Sequence, residues 1–167
     1  MDDRAIVEQQ LGREPRAFLR VVVRCPFGAP AVTLQAPYDS AGDPFPTTFY
    51  LTCRYLVSAV ARIEASGGID RWSELAAADE RLATSLEEAT AEQRVLRREL
   101  ADGHVGRDNG ASLDLGIAGT ANPQRLKCLH AHVAFALARP GYELGERISA
   151  EVVPAWPDRC CTLDAAG

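Results

Sequence analysis

The chain has 167 residues, 47% of them hydrophobic and 25% charged, an ordinary globular composition that excludes a disordered chain. Its net charge of −5 argues against a protein that grips nucleic acid through a broad basic face, and no apolar run approaches the roughly 18–20 residues that span a bilayer. At this length a single domain is expected, able to bury roughly 70% of the surface that its unfolded chain exposes.

Residues 3–12 read as a short amphipathic helix with Ile6, Val7 and Leu11 on one face and Gly12 at its end. Phe18–Arg24 is β-branched and mostly apolar, the pattern of a buried strand. Cys25-Pro26-Phe27-Gly28 breaks it as a turn, and Ala31–Gln35 is the return strand of a hairpin. Residues 37–47 form a loop, and Thr47–Thr52 is a third strand. Cys53 follows, opening a helix that runs to Ala65 and closes at Gly67-Gly68, with Tyr55, Val57, Val60 and Ile63 on its buried side.

Residues 70–101 are helix-rich, with a break near Ala78–Asp79, and read as a helical arm. Residues 102–121 carry Gly, Asp and Asn and read as a flexible loop. Asn122-Pro123 opens a helix that continues to Arg139, and Leu144–Val153 is the last helix. These elements predict an α+β fold: a small, mainly antiparallel sheet of about three strands from residues 17–52, packed with helices from residues 53–153. The globular domain is expected over residues 1–155, with a flexible tail at residues 156–167.

The start of the chain, Met1-Asp2-Asp3-Arg4, lacks the basic, then apolar pattern of a secretory signal. A cytoplasmic location with reduced thiols follows, and five cysteines at scattered spacings do not suggest a disulfide framework. The densest chemistry lies in Lys127-Cys128-Leu129-His130-Ala131-His132. On a regular helix Cys128 and His132 lie one turn apart on one flank, and His130 points the other way. Cys25 and Cys53 stand at strand ends, where ligands commonly converge.

Cys25, Cys53 and Cys128, with His132 or His130, therefore form a candidate metal site. Thiolates and imidazole suit Zn²⁺, whereas an iron–sulfur cluster would recruit Cys160 or Cys161 as a fourth thiolate. Arg24 and Lys127, each beside a cysteine, form a candidate anion site, with Cys128 or His130 performing chemistry. There is no C-x-x-C pair, G-x-G-x-x-G, Walker loop, H-E-x-x-H or G-x-S-x-G.

Three stretches occur in a telling order: Arg24-Cys25-Pro26-Phe27-Gly28, then Pro44-Phe45-Pro46-Thr47 with Tyr50-Leu51-Thr52-Cys53, then Lys127–His132. On these the chain resembles the DUF501 family, bacterial proteins of unknown function common in actinobacteria, over most of residues 5–153. The resemblance implies a cytoplasmic protein whose gene lies near those for enolase, a septum-forming division protein and an exopolyphosphatase-like enzyme. That neighbourhood implies a link to division or phosphate metabolism, and a protein partner from either. The resemblance also implies His at the Cys53 position in some members, as a metal ligand would allow, and it favours His130 over His132. Arg54 stands here where many relatives carry Pro.

Three functions follow as expectations. The first is a metal-binding protein using Cys25, Cys53, Cys128 and His132 or His130. The second is a metal-free enzyme or small-molecule binder using Arg24, Lys127, Cys128 and His130. The third is an adaptor that binds a division partner through the 70–101 arm.

Overall fold

In the computed structural model, which describes residues 2–161, three strands and six helices form the expected α+β fold. Helix α1 (Asp3–Leu11) starts where the Asp2 carboxylate accepts the Ala5 N–H at 2.8 Å, and it stops at Gly12, whose φ of 69° favours a residue without a side chain. Strands β1 (Phe18–Arg24), β2 (Pro30–Gln35) and β3 (Phe49–Leu51) form one antiparallel sheet in sequence order. Every residue of the central β2 is buried. β3 is shorter than the expected Thr47–Thr52: beyond it the pairing continues as single bonds, from Gln35 N to Thr48 O and from Thr52 N and Cys53 N to Ala31 O.

Helices α2 (Arg54–Ala65), α3 (Gly68–Ala78) and α4 (Glu80–Ala101) follow. The expected break near Ala78–Asp79 is present. Asp79 leaves helical geometry, and its carboxylate accepts the N–H groups of Arg81 and Leu82 to start α4. α4 is not a projecting arm. It buries Leu82, Leu86, Ala89, Gln93 and Arg97 at helical spacing, so one whole face belongs to the body.

Helices α5 (Leu129–Ala138) and α6 (Glu143–Ser149) complete the fold. α5 is buried on nearly every side, as expected of a helix that is apolar all round. Its Phe135 meets Phe49 and Tyr142 edge to face, each with ring centroids 5.3 Å apart. α6 comes close because Gly145 has no side chain: a Cβ there would lie 2.6 Å from the His132 carbonyl oxygen.

Three expectations need correction. The helix expected from Pro123 begins only at Leu129. Asn122 is used in a turn, accepting the Gln124 N–H on its side chain, the Leu126 N–H is tied to Ser73 Oγ on α3, and Cys128 is extended at φ −153°. The stretch 102–121 packs as structure rather than as a flexible loop. It holds two 3₁₀ turns, Ala111–Asp114 and Ile117–Gly119, and buries Leu113 and Ile117. α6 ends at Ser149 rather than near Val153, because the chain tightens into turns at Glu151 and Val152. Trp156 packs against the core and Cys160 is buried, while residues 162–167 of the expected tail lie outside the described residues. Among the described residues no helix is long and apolar enough to cross a membrane.

Candidate metal centre

The extended conformation of Cys128 decides the local geometry. An extended residue directly before a helix sends its side chain toward the first turn, and Cys128 Sγ lies 3.7 Å from His130 Nδ1. α2 packs beside α5 and supplies the rest. Val57 and Glu64, seven residues apart, lie on the same side of α2. His130 Nε2 donates to the Val57 carbonyl at 3.0 Å. Because a carbonyl only accepts, that bond places a proton on Nε2 and turns Nδ1 toward Cys128. Glu64 Oε1 approaches the same Nδ1 at 2.5 Å. Oε1 is buried and takes part in no hydrogen bond, so this close approach is not aligned as one.

Three donor atoms therefore meet at one point: Cys128 Sγ, His130 Nδ1 and a Glu64 carboxylate oxygen, all within 4.8 Å of one another. Among the described residues no other Cys, His, Asp or Glu side chains gather this way in groups of three or more. A nucleophile–base–orienter triad places its two partners on opposite nitrogens of the histidine. Here both face one nitrogen while the other is tied to a backbone carbonyl, which is the second-shell pattern of a metal-ligating histidine.

Distances set how closely the donors fit an ion. Tetrahedral zinc with ordinary bond lengths separates nitrogen from sulfur by about 3.6 Å and nitrogen from oxygen by about 3.3 Å. The 3.7 Å separation of sulfur and nitrogen fits, and Glu64 would need to withdraw by roughly 0.8 Å from its 2.5 Å contact. Burial pushes the His130 pKa down, but the Cys128 sulfur, the Glu64 carboxylate and the Val57 carbonyl outweigh it and hold it up at about 9.

Cys128 and His130 form one wall of a cleft of about 400 Å³ between the end of α1, β3 and the starts of α2 and α5. Arg13 and Arg54 also line it. Arg13 Nη2 donates to Tyr50 Oη at 2.9 Å, while Arg54 donates through Nη2 to Gln9 O at 2.5 Å and through Nε to Gln10 O at 3.2 Å. Among the described residues no Asp or Glu lines the cleft.

The other anticipated site residues lie elsewhere. Cys53 is the residue before α2, only 1% exposed, and its sulfur lies 3.6 Å from Cys161 Sγ. Burial, with the Cys161 sulfur adding to it, pushes the Cys53 thiol up to about 12. Cys25 is buried in the β1–β2 turn, where its N–H donates to Ala29 O. His132 lies in the core with Nδ1 2.7 Å from the Tyr142 hydroxyl, and burial lowers its pKa to about 3. Cys25, Cys53 and His132 do not join Cys128 and His130: Cys128 stands outside α5 and so out of helical register with His132, Cys53 lies against Cys161, and Cys25 stays in the hairpin turn. Arg24 pairs with Asp3 at 2.7 Å, and Lys127 is exposed; neither lines the cleft. The sequence reading missed Glu64, Arg13 and Arg54. Only Glu64 left a signal, its seven-residue spacing from Val57.

A protein-family model described as "Protein of unknown function (DUF501)" matches residues 21–150. The chain belongs to the DUF501 family. Of the three stretches that carry the resemblance, the last places Cys128 and His130 at the centre of this DUF501 protein, the second ends in the buried Cys53, and the first forms the hairpin turn. No curated protein and no solved structure matches the DUF501 chain.

Proposed function

We propose that this DUF501 protein binds zinc through Glu64, Cys128 and His130 and leaves a fourth coordination position for water or substrate on the side of the cleft. The observation that carries this reading is the shared nitrogen: sulfur and carboxylate oxygen both face His130 Nδ1, while the Val57 carbonyl holds Nε2. One thiolate, one imidazole and one carboxylate suit a borderline-soft ion such as zinc. A single thiolate at the centre does not suit an iron–sulfur cluster, which takes four, or two with two histidines. Three protein ligands beside a cleft follow the catalytic rather than the closed structural zinc pattern, and a bound ion there would activate water or polarise a carbonyl or phosphoryl oxygen.

The test is elemental analysis and an absorption spectrum of protein purified without an affinity tag. Near-stoichiometric zinc and a colourless solution are expected, with Glu64→Gln and Cys128→Ser losing the metal while circular dichroism shows both folded. Folded wild-type protein that carries no metal and takes up none on addition of zinc overturns the reading.

A metal-free nucleophile is the second reading, favoured by one observation: Cys128 lies beside a histidine whose pKa is held up at about 9, and both residues line the cleft. It predicts that Cys128 in zinc-free wild-type protein reacts with iodoacetamide much faster than a model thiol at pH 7.

A further inference from the structure

The cleft beside the centre carries polar groups that the metal does not use. Gln10 and Thr52 line it, 7% and 1% exposed. Gln10 Nε2 donates to Pro30 O at 2.8 Å, which fixes the amide and leaves Oε1 as the acceptor. Gln10 Oε1 and Thr52 Oγ1 are both buried and without a hydrogen-bond partner. Each such atom costs about 1–3 kcal/mol unless something meets it, so a ligand whose hydrogen-bonding groups reach the pair from the cleft gains by satisfying them.

The same cleft carries two cations that form no ion pair among the described residues, although Arg54 shares a neighbouring groove with Asp158. Arg13 bonds only to the Tyr50 hydroxyl, leaving Nε and Nη1 free. Arg54 is anchored by its bonds to the Gln9 and Gln10 carbonyls, leaving Nη1 free. Guanidinium groups bind phosphate through several donors at once. Two of them in a cleft lined by no Asp or Glu among the described residues match a dianion better than a monoanion. The volume of about 400 Å³ is that of a small-molecule site.

We propose that this cleft binds a small phosphate monoester that also carries a hydroxyl group, with the phosphate held by Arg13 and Arg54 and the hydroxyl by Gln10 and Thr52. The proposal deepens the reading of Cys128 and His130 as the reactive wall of the cleft by naming the class of molecule brought to them. Binding itself draws on residues that do not ligate the ion, so the two claims fail separately.

The probe is glycerol 3-phosphate, titrated calorimetrically into the full chain with and without zinc. Saturable binding is expected in both states, with glycerol inert and inorganic phosphate weaker. Arg13→Gln and Arg54→Gln should each weaken binding about tenfold or more, and Thr52→Val by about fivefold. Arg54 also supports α1, so Arg13→Gln, at an exposed position, decides if Arg54→Gln does not fold. Cys128→Ser should lose zinc and keep glycerol 3-phosphate. Absence of saturable binding at millimolar probe overturns the proposal, as does unchanged binding by Arg13→Gln. D-glycerate binding as tightly as glycerol 3-phosphate overturns the phosphate assignment. Wild-type protein that binds the probe but never zinc leaves this proposal standing and removes the metal centre.

Discussion

Val57 holds His130 by the nitrogen that faces away from Cys128: Nε2 donates to the Val57 carbonyl at 3.0 Å, while Nδ1 lies 3.7 Å from the Cys128 sulfur. A carbonyl in the first turn of α2 thereby chooses the tautomer of a histidine on α5. In zinc-loaded protein His130 should accordingly be neutral, with its proton on Nε2, as read from long-range ¹H–¹⁵N correlation spectra. A metal-bound Nε2 would contradict the geometry. Glu64→Gln should weaken zinc at least about tenfold in competition with a chromophoric chelator, because it replaces an anionic ligand with a neutral one.

The five thiols should separate by reactivity. Cys53 is 1% exposed, and burial raises its pKa to about 12. Cys128 is half-buried and lines the cleft. Iodoacetamide applied to native, chelator-treated protein at pH 7 should label Cys128 well before Cys53, and bound zinc should slow Cys128 alone. Peptide mapping reads the order, and rapid labelling of Cys53 in folded protein would refute its burial.

Gly145 sets how closely α6 approaches α5. A methyl group there would meet the His132 carbonyl oxygen at 2.6 Å, the Tyr142 ring at 2.7 Å and Ala136 Cβ at 2.8 Å. Two of these neighbours belong to the buried helix α5, so they yield only with strain. Gly145→Ala should cost about 1–3 kcal/mol by urea denaturation, the range for overpacking, even though alanine is the better helix former. A neutral or stabilising result would mean that the two helices lie further apart.

Asp108 organises the stretch after α4. Its carboxylate accepts the Tyr38 hydroxyl at 2.7 Å and the N–H groups of Gly110 and Ser112 at 3.0 and 2.9 Å. Burial pushes its pKa up, but bonds from Ser112, Tyr38 and Gly110 outweigh this and hold it down at about 2, against an ordinary 3.8. A group depressed on folding stabilises above its unfolded pKa, and the stabilisation is lost as pH falls through the folded value. The Gly110 and Ser112 amides should therefore lose their folded-state chemical shifts as the pH falls from about 4 to about 2. Asp108→Asn should loosen the same residues at neutral pH, and an unaltered segment in both experiments would refute the role.

The elements were legible where local pattern and packing agree. Phe18–Arg24 and Arg54–Ala65 appear where β-branched composition, helical spacing and Gly punctuation place them, but β1 is an edge strand with none of its residues fully buried, not the buried strand its apolar composition predicts. The start of α5 was not legible, because Asn122-Pro123 is a sound helix opening that a tertiary bond overrides: the Leu126 N–H goes to Ser73 on α3. That displacement of six residues changed which histidine joins Cys128. The spacing of Cys128 and His132 in a regular helix suggested a pair, whereas the extended Cys128 reaches His130 instead. The member of the cluster furthest away in sequence, Glu64, was beyond local reading because only the α2–α5 contact brings it to the other two.

Glu64 and Cys128 stand 64 positions apart in the chain, and everything between them lies inside the span that the centre closes. A metal bridging the two would act as a removable cross-link around α3, α4 and the turns beyond them. Loop-closure arithmetic for a covalent tie of that length gives about 4 kcal/mol, an upper range for an ion that can dissociate. Metal supply would then set the melting temperature of the middle third of the protein as well as its chemistry.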